Sequence, residues 1–251
     1  MFWINNRDYD TWHVTYDNSL ILRPRSNDVS LEIVSPKLEV KNNWEAEIDK
    51  VWEAVNDLFR VAQNSISCGS HIHVAPTARY FSLHELKQIA MATIIHEDCI
   101  LKILHTTRRN HEYCRPNTSI EGTGLWYDFG QWKHRPGELQ TRRVGLRDCN
   151  QALMGIRSKG ELVAYMQGDD RRSLWNFRNV LSGETGTVEF RGGRHLRGPV
   201  RTKRWVTFAV LFVDFATRSP YMENSCMPQY VPPQWSSHNA MTEELWNDLK
   251  S

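Results

Sequence analysis

The sequence predicts an α+β fold in which a curved antiparallel sheet is covered on one face by helices. Three observations carry that prediction. Short runs rich in Val, Ile, Thr and aromatic residues stand before, between and after the long helical segments. Apolar side chains recur at three- and four-residue spacing in three long stretches. No repeat or low-complexity linker divides the 251 residues, a length that suits one large domain spanning residues 1–251.

From the N-terminus, "WHVTYDNSLILRP" and "VSLEIVSPKL" read as neighbouring strands, interrupted by Pro36. Between about residues 43 and 62, Trp44, Ile48, Val51, Trp52, Val55, Leu58 and Phe59 make one apolar stripe, which predicts an amphipathic helix. "SCGSHIHVAP" follows as a strand. "SLHELKQIAMATIIHEDCILKIL" opens with Ser82 and Glu85 at capping-box spacing and carries a stripe from Leu86 to Leu104. The polar stretch 106–150 reads as functional loops with a short helix. A further short helix is expected at "SKGELVAYMQ". "SLWNFRNVL" and "GTVEFRGG" read as a hairpin around "SGETG". Residues 201–217 place Trp205, Phe208, Ala209, Phe212, Val213 and Ala216 on one stripe, predicting a mostly buried helix behind the sheet. Residues 219–251 read as a surface arm, with a last helical turn at "MTEELWNDLK".

Composition narrows the function. With 31 basic and 29 acidic side chains the net charge is +2, which argues against a dedicated nucleic-acid binder. The five cysteines, at 68, 99, 114, 149 and 226, form no CxxC pair and no regular framework, as in a reducing, cytoplasmic setting without disulfides. The most apolar segment, "WVTFAVLFVDFAT", is shorter than the roughly 20 residues of a membrane span and contains Asp214, so no membrane association is expected.

The chemistry lies on two of the strands. Side chains two apart on a strand share a face, so His71 and His73 point the same way, as do Glu189 and Arg191. If both strands belong to one sheet, imidazole, carboxylate and guanidinium meet in one pocket. Such a pocket suits an anionic small molecule, the carboxylate taking a hard cation and the arginine fork gripping oxygens. Glu32 is a second acid inside an otherwise apolar strand. Cys68, before Gly69, reads either as a core thiol or as a nucleophile with His71 or His195 as its base. In "RGGRHLRGPVRTKR", Arg191, Arg194 and His195 stand beside glycines ahead of a helix, which makes either a solvated run or an anion cradle. A packed histidine pair without chemistry is an equally open reading of His71 and His73. Trp44, Trp52, Trp175 and Trp205 are assigned to the core.

Taken together and in order, "LEIVSP", the helix with paired tryptophans, "CGSHIHV", "TVEFR" and "RWVTFAVLFVDFA" resemble the amidoligase family common in fungi and bacteria. That family belongs to the carboxylate-amine ligases related in fold to glutamate-cysteine ligase and glutamine synthetase. The likeness runs from about residue 12 to residue 218. It implies a curved sheet shaped as a half-open funnel that binds Mg2+ and ATP, phosphorylates a carboxylate and lets an amine displace the phosphate. The implied substrates are a small amino-acid-like carboxylate and an amine. On this resemblance Glu32 and Glu189 would ligate metal, His71 would lie near the metal or phosphates, Arg191 would steady the transferring phosphoryl group, and His73 would line the same floor.

The sequence departs from the family pattern in two places. Members open with a strand of the form G-[VF]-E-x-E whose two acids bind metal, and this chain is expected to start beyond it. "NRDYDTWHVTYDNSL" matches the second family segment, with Asp17 in its turn, leaving Asp8 and Asp10 as nearby acids of different geometry. After "EFR" the chain reads "GGRHLRG" instead of Q-H-x-G-T. Two further readings therefore stand beside ligation. One is an ATP-independent acyl transferase, cyclase or hydrolase using Cys68 or a histidine. The other is a non-catalytic family member that binds a ligand or protein partner.

Overall fold

The computed structural model describes residues 9–17, 20, 28–61, 68–109, 111–133, 138–183 and 185–222. The expected turn at 241–250, most of the arm, Asp8 and Cys226 lie outside these residues. The chain forms two compact units: residues up to Cys68 with Arg197–Pro199, and Gly69–Leu196 with the chain from Val200 onward.

In the first unit, strands β1 (His13–Tyr16) and β2 (Leu31–Val34) pair antiparallel, with Val14 opposite Ile33 and Thr15 opposite Glu32. The second strand is shorter than the sequence suggested, and part of the first expected segment, residues 18–19 and 21–24, lies outside the described residues. β2 stops two residues before Pro36, which biases the preceding backbone and supplies no ladder donor. Helix α1 (Trp44–Leu58) has Glu45 and Glu47 in its first turn, where they complement the helix dipole. Its buried residues are Ile48 and Val55, two turns apart. The expected stripe stops there. Leu58 is exposed, and Phe59 leaves the helix with extended backbone at φ −134° and ψ 149°. Trp44 and Trp52 are half-buried, not core residues.

The second unit holds β3 (Gly69–Val74), α2 (Leu83–Ile103), α3 (Thr106–Arg109), α4 (Gly124–Asp128), α5 (Glu138–Gly155), α6 (Lys159–Met166), β4 (Trp175–Asn176), β5 (Val188–Arg194) and α7 (Pro199–Arg218). Its three strands lie in the order β3-β5-β4, with both pairings antiparallel. The described strands thus make an α+β structure with two small antiparallel sheets and no closed barrel. Alternation decides the faces. Phe190 stands opposite Ile72 and Trp175, and Val188 opposite Val74. This apolar face packs on α7, where the Phe190 and Trp205 rings stack at 5.5 Å and those of Trp175 and Phe212 at 4.7 Å. Trp175 and Trp205 are core residues as expected.

Helix α2 begins with both halves of the capping box: Ser82 Oγ accepts from the Glu85 N–H, and the Glu85 carboxylate accepts from the Ser82 N–H at 2.8 Å. From Gln88 to Glu97 its residues are buried all round, as in a helix enclosed by others. Two expectations are corrected. The stretch 106–150 is mostly helical, because Leu146, Cys149, Asn150 and Leu153 form a stripe that α5 turns inward toward α2. The strand expected at 173–181 is two residues long, followed by a 3-10 turn at Arg178–Leu181. There the Asn176 side-chain oxygen accepts the Arg178 N–H at 2.9 Å, an Asx turn that takes the chain out of the ladder. The described cysteines 68, 99, 114 and 149 carry free thiols. Among the described residues no helix is long and apolar enough to cross a membrane.

Candidate active site

The sheet face opposite α7 is polar. His73 on β3 stands directly across from Glu189 on β5, which stands across from Asn176 on β4. A bulge then intervenes: Ser70 pairs with Gly193 and Ile72 with Phe190, so Arg191 and Gly192 together oppose His71. Gly192 is required here. A Cβ would sit 2.6 Å from the Phe190 ring and 2.7 Å from Leu174, so the bulge turns its bare side to the core and Arg191 to the polar face.

Glu189 is the centre of this face and is nearly fully buried. Its Oε1 accepts from Arg191 Nη1 at 2.5 Å and lies 3.4 Å from His71 Nδ1 and 3.8 Å from His73 Nε2. Its Oε2 accepts from Asn176 Nδ2 at 2.7 Å and from Asn179 Nδ2 at 3.4 Å. Burial alone would raise this carboxyl, but Arg191, His73, His71 and the Asn176 hydrogen bond outweigh it and hold it below the usual carboxylate range. Arg191 is anchored a second time, donating from Nε to the Tyr113 carbonyl at 3.1 Å. The buried Arg108 donates to the Arg191 carbonyl at 2.8 Å and so braces the bulge from below.

The imidazoles form the accessible rim, with side-chain exposures of 36% for His71 and 45% for His73. Burial, reinforced by Arg191, pushes His71 down to about 4 against the pull of Glu189. It is therefore neutral at pH 7. With Nδ1 facing a carboxylate, the proton belongs there and the lone pair on Nε2. His73 Nδ1 meets Thr187 Oγ1 at 3.0 Å and Asn179 Nδ2 at 3.4 Å.

His71, His73, Glu189 and Arg191 thus share one face. Arg194 ends β5 opposite Gly69, and His195 follows it, both half-buried. Cys68, half-buried, is the last residue before β3 and falls with the first unit. Glu32 lies on β2 of that unit with its side chain exposed. Among the described residues no group of three or more His, Cys, Asp and Glu side chains is arranged to hold a metal ion. Both Glu189 oxygens face nitrogen donors, so this face does not by itself make the oxygen-lined shell that Mg2+ requires. Sequence reasoning missed Asn176, Asn179 and Thr187. The signal for Asn176 was a strand-disfavoured amide between Trp175 and Phe177. Tyr113 contributes only its carbonyl, which no side-chain pattern reveals.

A family model described as "Putative amidoligase enzyme" matches residues 3–212. The chain belongs to the amidoligase family. No curated protein and no solved structure matches it. For this amidoligase-family chain the match extends through the strands that carry His71, His73, Glu189 and Arg191, and through most of α7 behind them.

Proposed function

We propose that the polar face of the three-stranded sheet joins a carboxylate to an amine, both from small amino-acid-like substrates. The observation that carries this reading is an accessible imidazole and a doubly anchored guanidinium meeting the same oxygen of one buried carboxylate. Arg191 holds the oxygen that gains charge as the amine nitrogen attacks the activated carbonyl carbon. His71 takes the proton the nitrogen releases, and the leaving group departs with its bonding electrons. Glu189 keeps both groups aimed. The half-open funnel of the glutamine synthetase-like ligases would place this face on its inside.

Mg2+ and ATP would supply the phosphoryl group that activates the carboxylate. No step above is assigned to them, because the carboxylate of this face is already engaged by Arg191 and Asn176. A second reading, which needs no metal on that carboxylate, is an ATP-independent acyl transfer for which Cys68 is the candidate nucleophile. Calorimetry with Mg-ATP, followed by ADP release in the presence of pooled amino acids, separates the two. The first reading expects amino-acid-dependent ADP release that falls at least about 100-fold in His71→Gln. No nucleotide binding at millimolar concentration overturns it. Activity without nucleotide that vanishes in Cys68→Ala supports the second.

A further inference from the structure

A chain of buried amides runs under the polar face. Gln167, at the end of α6, and Asn176, on β4, are each 1% exposed. Gln167 Oε1 accepts from the Phe177 N–H at 2.6 Å, which fixes the amide: its Nε2 donates to the Asp170 carbonyl and to Asn176 Oδ1, both at 2.7 Å. Asn176 Oδ1 also takes the Arg178 N–H, so its oxygen is committed on both sides. Only the NH2 group remains to face Glu189, and it donates to Oε2 at 2.7 Å. A flipped Asn176 would set its oxygen against the carboxylate and its NH2 against two donors. Gln167, which lies two hydrogen bonds away from Glu189 with Asn176 between them, thereby dictates which atoms Asn176 offers it.

We propose that Gln167 and Asn176 are positioning residues: Gln167 locks the Asn176 amide in one orientation, and Asn176 pins Glu189 Oε2 so that Oε1 faces His71, His73 and Arg191. The relay fixes the carboxylate in rotation as well as in place. One oxygen is tied to the interior of the unit and the other is presented to the accessible rim. The inference deepens the reading above, and only its kinetic arm rests on that reading.

The test uses the isotopically labelled full chain, first without any ligand. The Asn176 NH2 protons are expected to exchange at least about tenfold more slowly than those of an exposed asparagine, the minimum for a hydrogen bond to a charged acceptor. Their signal is expected to move in Glu189→Gln. In Gln167→Met, the Glu189 carboxyl carbon signal shifts and the Asn176 protection is lost, although residue 167 does not touch Glu189. A general packing defect does not single out these two groups. Gln167→Glu, of nearly equal size, replaces Gln167→Met if the latter fails to fold. If neither folds, wild type and Glu189→Gln decide alone. Fast NH2 exchange in wild type, or a Glu189 signal unmoved by changes at 167, overturns the relay. If ADP release is found, kcat is expected to fall about tenfold or more in Gln167→Met with KM for nucleotide unchanged. If no nucleotide binds, the ligase reading fails while the resonance arm still decides the relay.

Discussion

Two buried carboxylates in the larger unit, Glu97 and Glu189, have similar partners and opposite surroundings. Glu97 on α2 has a fully buried side chain. It accepts from the Thr118 N–H at 3.1 Å, from the Thr118 hydroxyl, and from Lys133 Nζ at 2.7 Å, which also reaches Asp98 at 2.7 Å. Lys133 is itself only 8% exposed. Burial would lower its pKa, but Glu97 and Asp98 outweigh that and push it up. Glu189 also has a cation and short hydrogen bonds, yet two of its neighbours are half-exposed imidazoles. Every direct partner of Glu97 is buried, while Asp98, about a third exposed, touches Lys133 and not Glu97. This first cluster ties the segment around residues 118–133 to the central helix. The second is closed below and open above, as a site needs to be. Burial and pairing alone therefore do not separate structure from chemistry. The accessible partner does.

The sharpest test of that difference removes each cation. Lys133→Met leaves Glu97 without its buried counter-charge and is expected to lower stability by about 3–5 kcal/mol. Arg191→Met leaves Glu189 with Asn176, and with two imidazoles that can take up a proton as compensation, so a loss of about 1–3 kcal/mol is expected. Urea unfolding of both variants at pH 7 checks the ordering. Equal losses would mean that the open cluster is as structural as the closed one.

The same contrast explains what could be read in the sequence. The faces of the sheet were legible because strand alternation is local: residues 71 and 73, and 189 and 191, share a side whatever surrounds them. Whether the two strands pair is a long-range fact, and here it rests on a register that a single bulge at Arg191 and Gly192 adjusts. Helix α5 was hidden by its Arg-rich surface and by Gly145 and Gly155, although Leu146, Cys149, Asn150 and Leu153 already had helical spacing. The Glu97–Lys133 pair was illegible for another reason. Its partners lie 36 residues apart, and a lone lysine in a polar stretch gives no sign that it is buried.

A second test uses two histidines whose values agree while their settings differ. His71 and His96 are both lowered to about 4. For His96 the cause is burial, among Phe212, Phe215 and Tyr221, with Nε2 2.9 Å from the Tyr221 hydroxyl. A histidine whose folded pKa lies below its unfolded 6.5 contributes stability that is intact above pH 6.5 and is lost as pH falls toward 4. His96→Gln is expected to flatten the stability-versus-pH curve across that window, by at most about 3 kcal/mol for a group so buried. His71→Gln flattens it less, because a third of that side chain is open to solvent screening. The two variants are then distinguished by activity: turnover is expected to survive His96→Gln and to fail in His71→Gln. Loss of activity in both would place the aromatic cluster in the site as well.

The smallest effect is expected at a third carboxylate, Glu85, which has a stronger pKa shift than its contribution to stability suggests. The Arg79 guanidinium, donating at 2.8 and 2.6 Å, and the Ser82 backbone and hydroxyl hold Glu85 down at about 2. Arg79 is more than half exposed, so water competes for the pair. Glu85→Gln keeps an acceptor for the Ser82 N–H, hence the capping box, and removes only the charge. The expected loss at pH 7 is below about 1 kcal/mol. Because the folded pKa lies below the unfolded value, that loss is full above pH 4.5 and vanishes as the pH falls to about 2, where wild type and variant converge. Thermal melts at pH 7 and pH 2.5 check it. A loss as large as that of Lys133→Met would show that pairing matters more than burial, and would remove the basis for treating Glu97 and Glu189 as different kinds of cluster.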